Sequence, residues 1–258
     1  GRIMNPAEEI LIKDALKALK LPTMLAELSE CARQCNASGD SYEAFLLSLC
    51  ERELQNRQAN QLTRRLKEAG FPQMKVLEDT QTEKWPCLKP MQIRAYAEGG
   101  YIRNRENLIF IGKHGTGKTH AAVAFGVEAC RRGFKTLFTT AAELVNTLTE
   151  ARDEKRLKNY LAKLKRIPLL IIDELGYIPF SEEGAQLLFQ VVSSRYEQGS
   201  TIITSNLTFA EWTQVFHDAN LTAALLDRLT HHSYIHQFDW ESIRFTDSLS
   251  RRQKQKET

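Results

Sequence analysis

Eight consecutive residues, Gly112-Lys113-His114-Gly115-Thr116-Gly117-Lys118-Thr119, set two glycines, a lysine and a threonine at the spacing of a phosphate-binding loop. Each residue type has a task there. Small residues let backbone N–H groups wrap phosphate oxygens, Lys118 reaches the outer phosphates, and the Thr119 hydroxyl ligates Mg²⁺. A helix starting at the end of the loop, with His120 in its first turn, adds its positive N-terminal dipole. At ordinary glycine frequency the pattern arises by chance in about one chain in a hundred of this length. A nucleoside triphosphate with Mg²⁺ is the expected ligand.

A second set of residues supplies the rest of the chemistry. Ile167-Pro168-Leu169-Leu170-Ile171-Ile172-Asp173-Glu174 is an apolar run ending in two carboxylates. Phosphoryl transfer needs a metal and a positioned nucleophile more than it needs covalent catalysis. Asp173 is therefore expected to hold Mg²⁺ and Glu174 to polarise the attacking water.

These residues require particular elements. Asn107–Ile111 suits a buried strand and His120–Cys130 an Ala-rich helix, which is the strand, loop and helix order that the phosphate loop demands. Further strands are predicted at Thr136–Thr139, at the 167–174 run, at Thr201–Asn206 and at Tyr234–Phe238. One long helix is expected over Ala142–Arg166 and another over Ser181–Gln198, capped by Ser181 with Glu182 and Glu183 in its first turn. Alternating strands and helices imply a parallel, helix-covered five-stranded sheet, with ligands at the carboxyl ends of its strands.

Ahead of this α/β unit, residues 4–69 show apolar positions at helical spacing and no strand-like run, so a small all-α domain of three helices is expected, with Gly1-Arg2-Ile3 set aside as a vector remnant. Ser41 is the expected N-cap of the last and longest helix, which Gly70 and Pro72 stop. Its arginines form either a solvated face or a nucleic-acid surface. The second domain spans 70–258. Its first part, Phe71–Arg105, reads as irregular linker and pocket edge, and Trp85, Tyr96 and Tyr101 within it either approach an adenine or pack inside the domain.

Composition bounds the rest. The 258 residues carry a net charge of +3, with 42% hydrophobic and 26% charged residues, as in a soluble globular protein. No apolar run is long enough to cross a membrane, and five cysteines without a disulfide framework suit a reducing cytoplasm. Basic residues are unevenly spread. Arg152, Lys155, Arg156, Lys158, Lys163, Lys165 and Arg166 fall between residues 150 and 166, and Arg251, Arg252, Lys254 and Lys256 in the tail. The 150–166 stretch is either a solvated charged helix or a strip that follows a phosphate backbone.

Taken in order, the loop, Asp173-Glu174, the strand end at Asn206 and Leu226-Asp227-Arg228-Leu229 resemble an AAA+ ATPase of the DnaC/DnaA-related initiator clade. The resemblance implies that Asn206 orients the lytic water and that Arg228 is an arginine finger donated to a neighbouring subunit's nucleotide. It also implies that the basic 152–166 stretch faces DNA. The phrases Gly115–His120, Leu170–Tyr177 and Thr204–Leu207, with Leu16–Pro22 near the start, are similar to IstB, the helper ATPase family of insertion-sequence transposition. Membership implies an ATP-hydrolysing homo-oligomer with active sites shared between subunits, assembled on duplex DNA and stimulating a transposase. One departure is expected: only residues 239–258 follow Phe238, leaving no room for a C-terminal lid domain, with Arg244 either a stand-in for the lid arginine or part of a surface salt bridge. The rival readings are a DnaC-like helicase loader, which acts on single strands and a helicase, and a monomeric small-molecule kinase.

Overall fold

The computed structural model describes residues 6–240. Contacts divide the chain into units at 1–64 and 65–258. The first holds α1 (Pro6–Ala18), α2 (Pro22–Ser38) and most of α3 (Tyr42–Ala69). Each boundary has a local cause. Pro22 opens α2, Gly39 closes it in the left-handed conformation (φ 73°), and the Ser41 hydroxyl accepts the Ala44 amide to start α3. Leu16, Met24, Leu28, Cys31 and Leu49 form a small core. At its edge the buried Glu53 carboxylate accepts the amides of Thr23 (2.8 Å) and Met24 (3.0 Å) at the start of α2, and the Arg57 guanidinium (2.8 Å). Burial opposes ionisation of Glu53, yet these three donors together hold its carboxyl below the usual range.

The stretch 71–105 is more ordered than its prolines suggest. It makes short 3₁₀ turns at Leu77–Asp79 and Thr82–Lys84, then α4 (Pro90–Ala97) and α5 (Gly100–Arg103). Proline is favoured in the first turn of a helix, and the Gln92 side chain accepts the Lys89 amide at 3.0 Å. Trp85, Tyr96 and Tyr101 are all buried in the core of this unit, so packing is their role.

The α/β unit continues with β1 (Asn107–Gly112), α6 (Lys118–Arg131), β2 (Thr136–Thr140), α7 (Ala141–Asp153), α8 (Leu157–Lys165), β3 (Leu169–Leu175), α9 (Glu182–Arg195), β4 (Ser200–Ser205), α10 (Trp212–Phe216), α11 (Ala219–Thr230) and β5 (Ser233–Phe238). All five strands are parallel, in the order β2-β3-β4-β1-β5. Alternation along the strands divides the core into two layers. Leu108 and Phe110 of β1 and Leu169 and Ile171 of β3 face one apolar cluster with α6, whereas Ile109, Ile111, Leu170 and Ile172 face the other, with α7 and α9. The apolar runs have no polar face because both sides of the sheet are covered.

The single helix expected over 142–166 is two. Lys155 is left-handed (φ 58°), its amide bonds the Arg152 carbonyl, and the Arg156 amide bonds the Ala151 carbonyl, a paired closure that ends α7. Such a closure most often uses glycine; here a lysine takes the position. α9 likewise ends at Arg195, short of the expected Gln198, followed by a left-handed Glu197 (φ 55°).

Candidate active site

The phosphate loop joins β1 to α6 at the carboxyl edge of the sheet. Its shape depends on residues without side chains. A Cβ on Gly112 would lie 2.0 Å from the Phe238 carbonyl oxygen of β5, and Gly117 (φ 98°) caps α6 in a left-handed conformation. Thr116 is fully buried, its hydroxyl donating to the Lys113 carbonyl at 2.9 Å, which braces the turn from inside. Lys113 reaches away, 3.6 Å from Asp239.

Beside the loop lies a cavity of about 590 Å³, a size suited to a nucleotide. His114, Gly115, Gly117, Lys118, Thr119 and His120 line it, with Glu174 and Asn206 opposite; Gly112, Lys113 and Thr116 do not. Lys118 is 9% exposed, and its ammonium donates to the Gly112 and Lys113 carbonyls, each at 2.6 Å. Burial pulls its pKa down to about 8, with Asp173 pulling the other way. His120 is held by Thr80 (2.9 Å) and lies edge-on to Trp85, so its ring ties α6 to the 71–105 stretch, from which Pro72, Gln73 and Lys75 complete the cavity wall.

Asp173 is 3% exposed, and its Oδ1 accepts the hydroxyls of Thr119 (3.0 Å) and Thr204. Burial raises its pKa against the effect of those hydrogen bonds. A buried carboxylate beside two hydroxyls is a hard oxygen donor set that fits Mg²⁺. The next residue is arranged otherwise. A register irregularity between Ile172 and Leu175, with Glu174 left-handed (φ 59°), turns the Glu174 side chain out of the sheet and into the cavity. The Glu174 amide donates to Thr204 Oγ1 at 2.9 Å, so one hydroxyl on β4 fixes both acidic residues of β3. Sequence reasoning passed over Thr204, although strand alternation places it on the same face as Asn206, just beyond the strand end. Tyr177 was also passed over; its ring meets His114 edge-on across the cavity, at 5.7 Å between centroids.

Arg228 is elsewhere. It lies on α11, its Nη1 donating to the Ala224 carbonyl (2.9 Å) and its guanidinium 5.1 Å from the Phe189 ring centroid. The cleft it lines includes Asn107 and Thr201, the amino-terminal ends of β1 and β4, opposite the phosphate loop. Among the basic residues, Arg152 pairs with Glu183 and Asp153, and Arg156 with Glu154. Lys155, Lys158 and Lys165 are exposed, and Lys163 and Arg166 border a shallow hollow with Lys135. Arg244 and the basic tail, like the lid question, fall outside the described residues.

With this geometry in place, the chain matches the model of the IstB-like ATP binding protein family over residues 14–251. The chain belongs to that family. It is 37% identical over 239 residues to the ATP-binding protein of insertion sequence IS5376 from Geobacillus stearothermophilus, covering 93% of this chain and 95% of that one. The corresponding IS21 protein of Pseudomonas aeruginosa is 35% identical over 232 residues, covering 90% and 88%. Among solved structures, AMPPCP-bound DnaA from Aquifex aeolicus superposes with a TM-score of 0.55 at 18% identity, over 68% of this chain and 54% of that one. The DnaC helicase loader gives 0.50 at 24%, over 57% and 86%. These likenesses establish the AAA+ fold expected from the motifs. The two relatives are insertion-sequence ATP-binding proteins, the core has the DnaC/DnaA-like fold, and no described helix is long and apolar enough to cross a membrane.

Proposed function

We propose that the chain is an ATP-hydrolysing oligomer that assembles on duplex DNA and recruits or stimulates a transposase. One observation carries the reading: among the described residues no arginine lines the nucleotide cavity, while Arg228 sits at the opposite ends of the strands. Charge developing on a transferred phosphoryl group is best met by a fixed guanidinium, and a second copy can bring one. In this reading Lys118 exchanges its two loop carbonyls for phosphate oxygens, Thr119 and Asp173 hold Mg²⁺, Glu174 orients the water, and Asn206 fixes its position. The ion, when bound, screens the phosphate charge. Residues 4–69 and 70–258 then act as separate helical and ATPase domains.

Exposed Lys155, Lys158 and Lys165, with Arg156, Lys163 and Arg166, offer charges that follow a phosphate backbone without reading bases. The test is binding to duplex and single-stranded DNA with and without a non-hydrolysable ATP analogue. Tight nucleotide-dependent assembly on duplex supports the proposal. A preference for single strands would overturn it in favour of a helicase loader. Charge reversal at Lys155, Arg156 and Lys158 is expected to weaken duplex binding by about tenfold or more and to flatten its salt dependence.

A further inference from the structure

We propose that Glu197, His231 and His232 form a binding site for a divalent transition metal that favours imidazole ligands, Zn²⁺ foremost. One ligand atom from each of these exposed side chains lies within 4.8 Å of the other two. Two imidazoles and a carboxylate are a three-ligand set that leaves further positions for water. The supports around the three are specific. Tyr196 Oη is 2.8 Å from Nδ1 of His231, a hydrogen bond that orients that ring as the outer-shell partners of metal-binding histidines do. Nε2 of His232 is 3.9 Å from a Glu197 carboxylate oxygen, and the two imidazole rings are 4.1 Å apart. Glu197 is fixed from behind, because its left-handed backbone carbonyl accepts Nη1 of Arg105 at 2.8 Å. An ion held here ties the turn after α9 to the turn between α11 and β5.

The location gives the site a consequence. Arg228, Tyr196, Glu197 and His232 border one cleft, so an ion would sit three residues beyond the arginine that the functional reading assigns to a neighbour's nucleotide. Metal occupancy would then set how freely Arg228 leaves its own helix. That consequence rests on the proposed role of Arg228; the metal site itself does not.

Calorimetric titration of the full-length, tag-free protein with Zn²⁺ alone tests the site, paired with Co²⁺ absorption to report coordination. One ion per chain is expected, with His231→Asn and Glu197→Gln each weakening binding about tenfold or more and Tyr196→Phe weakening it less. Zn²⁺ should raise the unfolding temperature of the wild type and not that of the variants. All three ligand side chains are exposed, so the substitutions leave the core intact. Absence of saturable binding overturns the proposal, and so does binding that survives both ligand substitutions, which would belong to the cysteine thiols. Because the readout needs neither nucleotide nor DNA, failure here leaves the ATPase reading untouched.

Discussion

Glu174 and Lys118 show how a residue's surroundings, more than its type, assign its work. Asp173 and Glu174 are neighbours with the same functional group, yet one is buried against two hydroxyls and the other is turned into the cavity. Glu174→Gln is expected to keep ATP affinity while lowering turnover by about a hundredfold or more, measured by phosphate release; normal hydrolysis would remove Glu174 from the mechanism. Lys118 carries a pH dependence. Its pKa of about 8 in the free chain means that the charged form is lost as pH rises through that value, whereas bound phosphates favour the charged form. ATP analogue affinity should therefore fall by about tenfold per pH unit above 8 in calorimetry, and Lys118→Ala should lack that slope. Folding stability should respond with the opposite sign, since a group whose pKa is lowered on folding binds fewer protons in the native state, and native stability rises as pH climbs above 8.

At the level of elements, the loop, the acidic strand end and the Asn206 strand end were legible because each couples a motif to a short buried apolar run. Burial on both sheet faces erases alternation, so short apolar runs at the expected spacing carried the strand assignments. Other features were not legible. The break at Lys155 depends on a left-handed lysine, which no local residue preference announces, and the helices after Pro90 depend on packing of Tyr96 and Tyr101 in the core. The bulge that presents Glu174 is likewise a product of strand pairing with β4, invisible in a run that reads as one continuous strand. Gly112 was legible as a loop glycine, but its packing against Phe238 across the sheet was not. Gly112→Ala is expected to destabilise the protein by about 3 kcal/mol or more in denaturant unfolding, since the added carbon meets a backbone carbonyl that cannot rotate away. A variant of wild-type stability would show that β5 shifts freely.

Considered as a whole, the chain separates the residue proposed to bind the phosphate from the residue proposed to complete its chemistry. Lys118 and Arg228 lie at opposite ends of the same sheet. Lys118→Ala and Arg228→Ala should each abolish most ATPase activity alone, and mixing the two variants should restore it, with about a quarter of random interfaces pairing an intact loop with an intact arginine. No recovery on mixing would mean that the arginine does not act between subunits. A head-to-tail contact of this kind gives an assembly two unlike ends. In an open array the subunit at one end holds ATP that no neighbour can help to hydrolyse, while every interior subunit is exposed to an arginine. The nucleotide would thus age unevenly along the array, and the terminal subunit would be the last to let go of it, giving the assembly a polarity and a persistent growing tip.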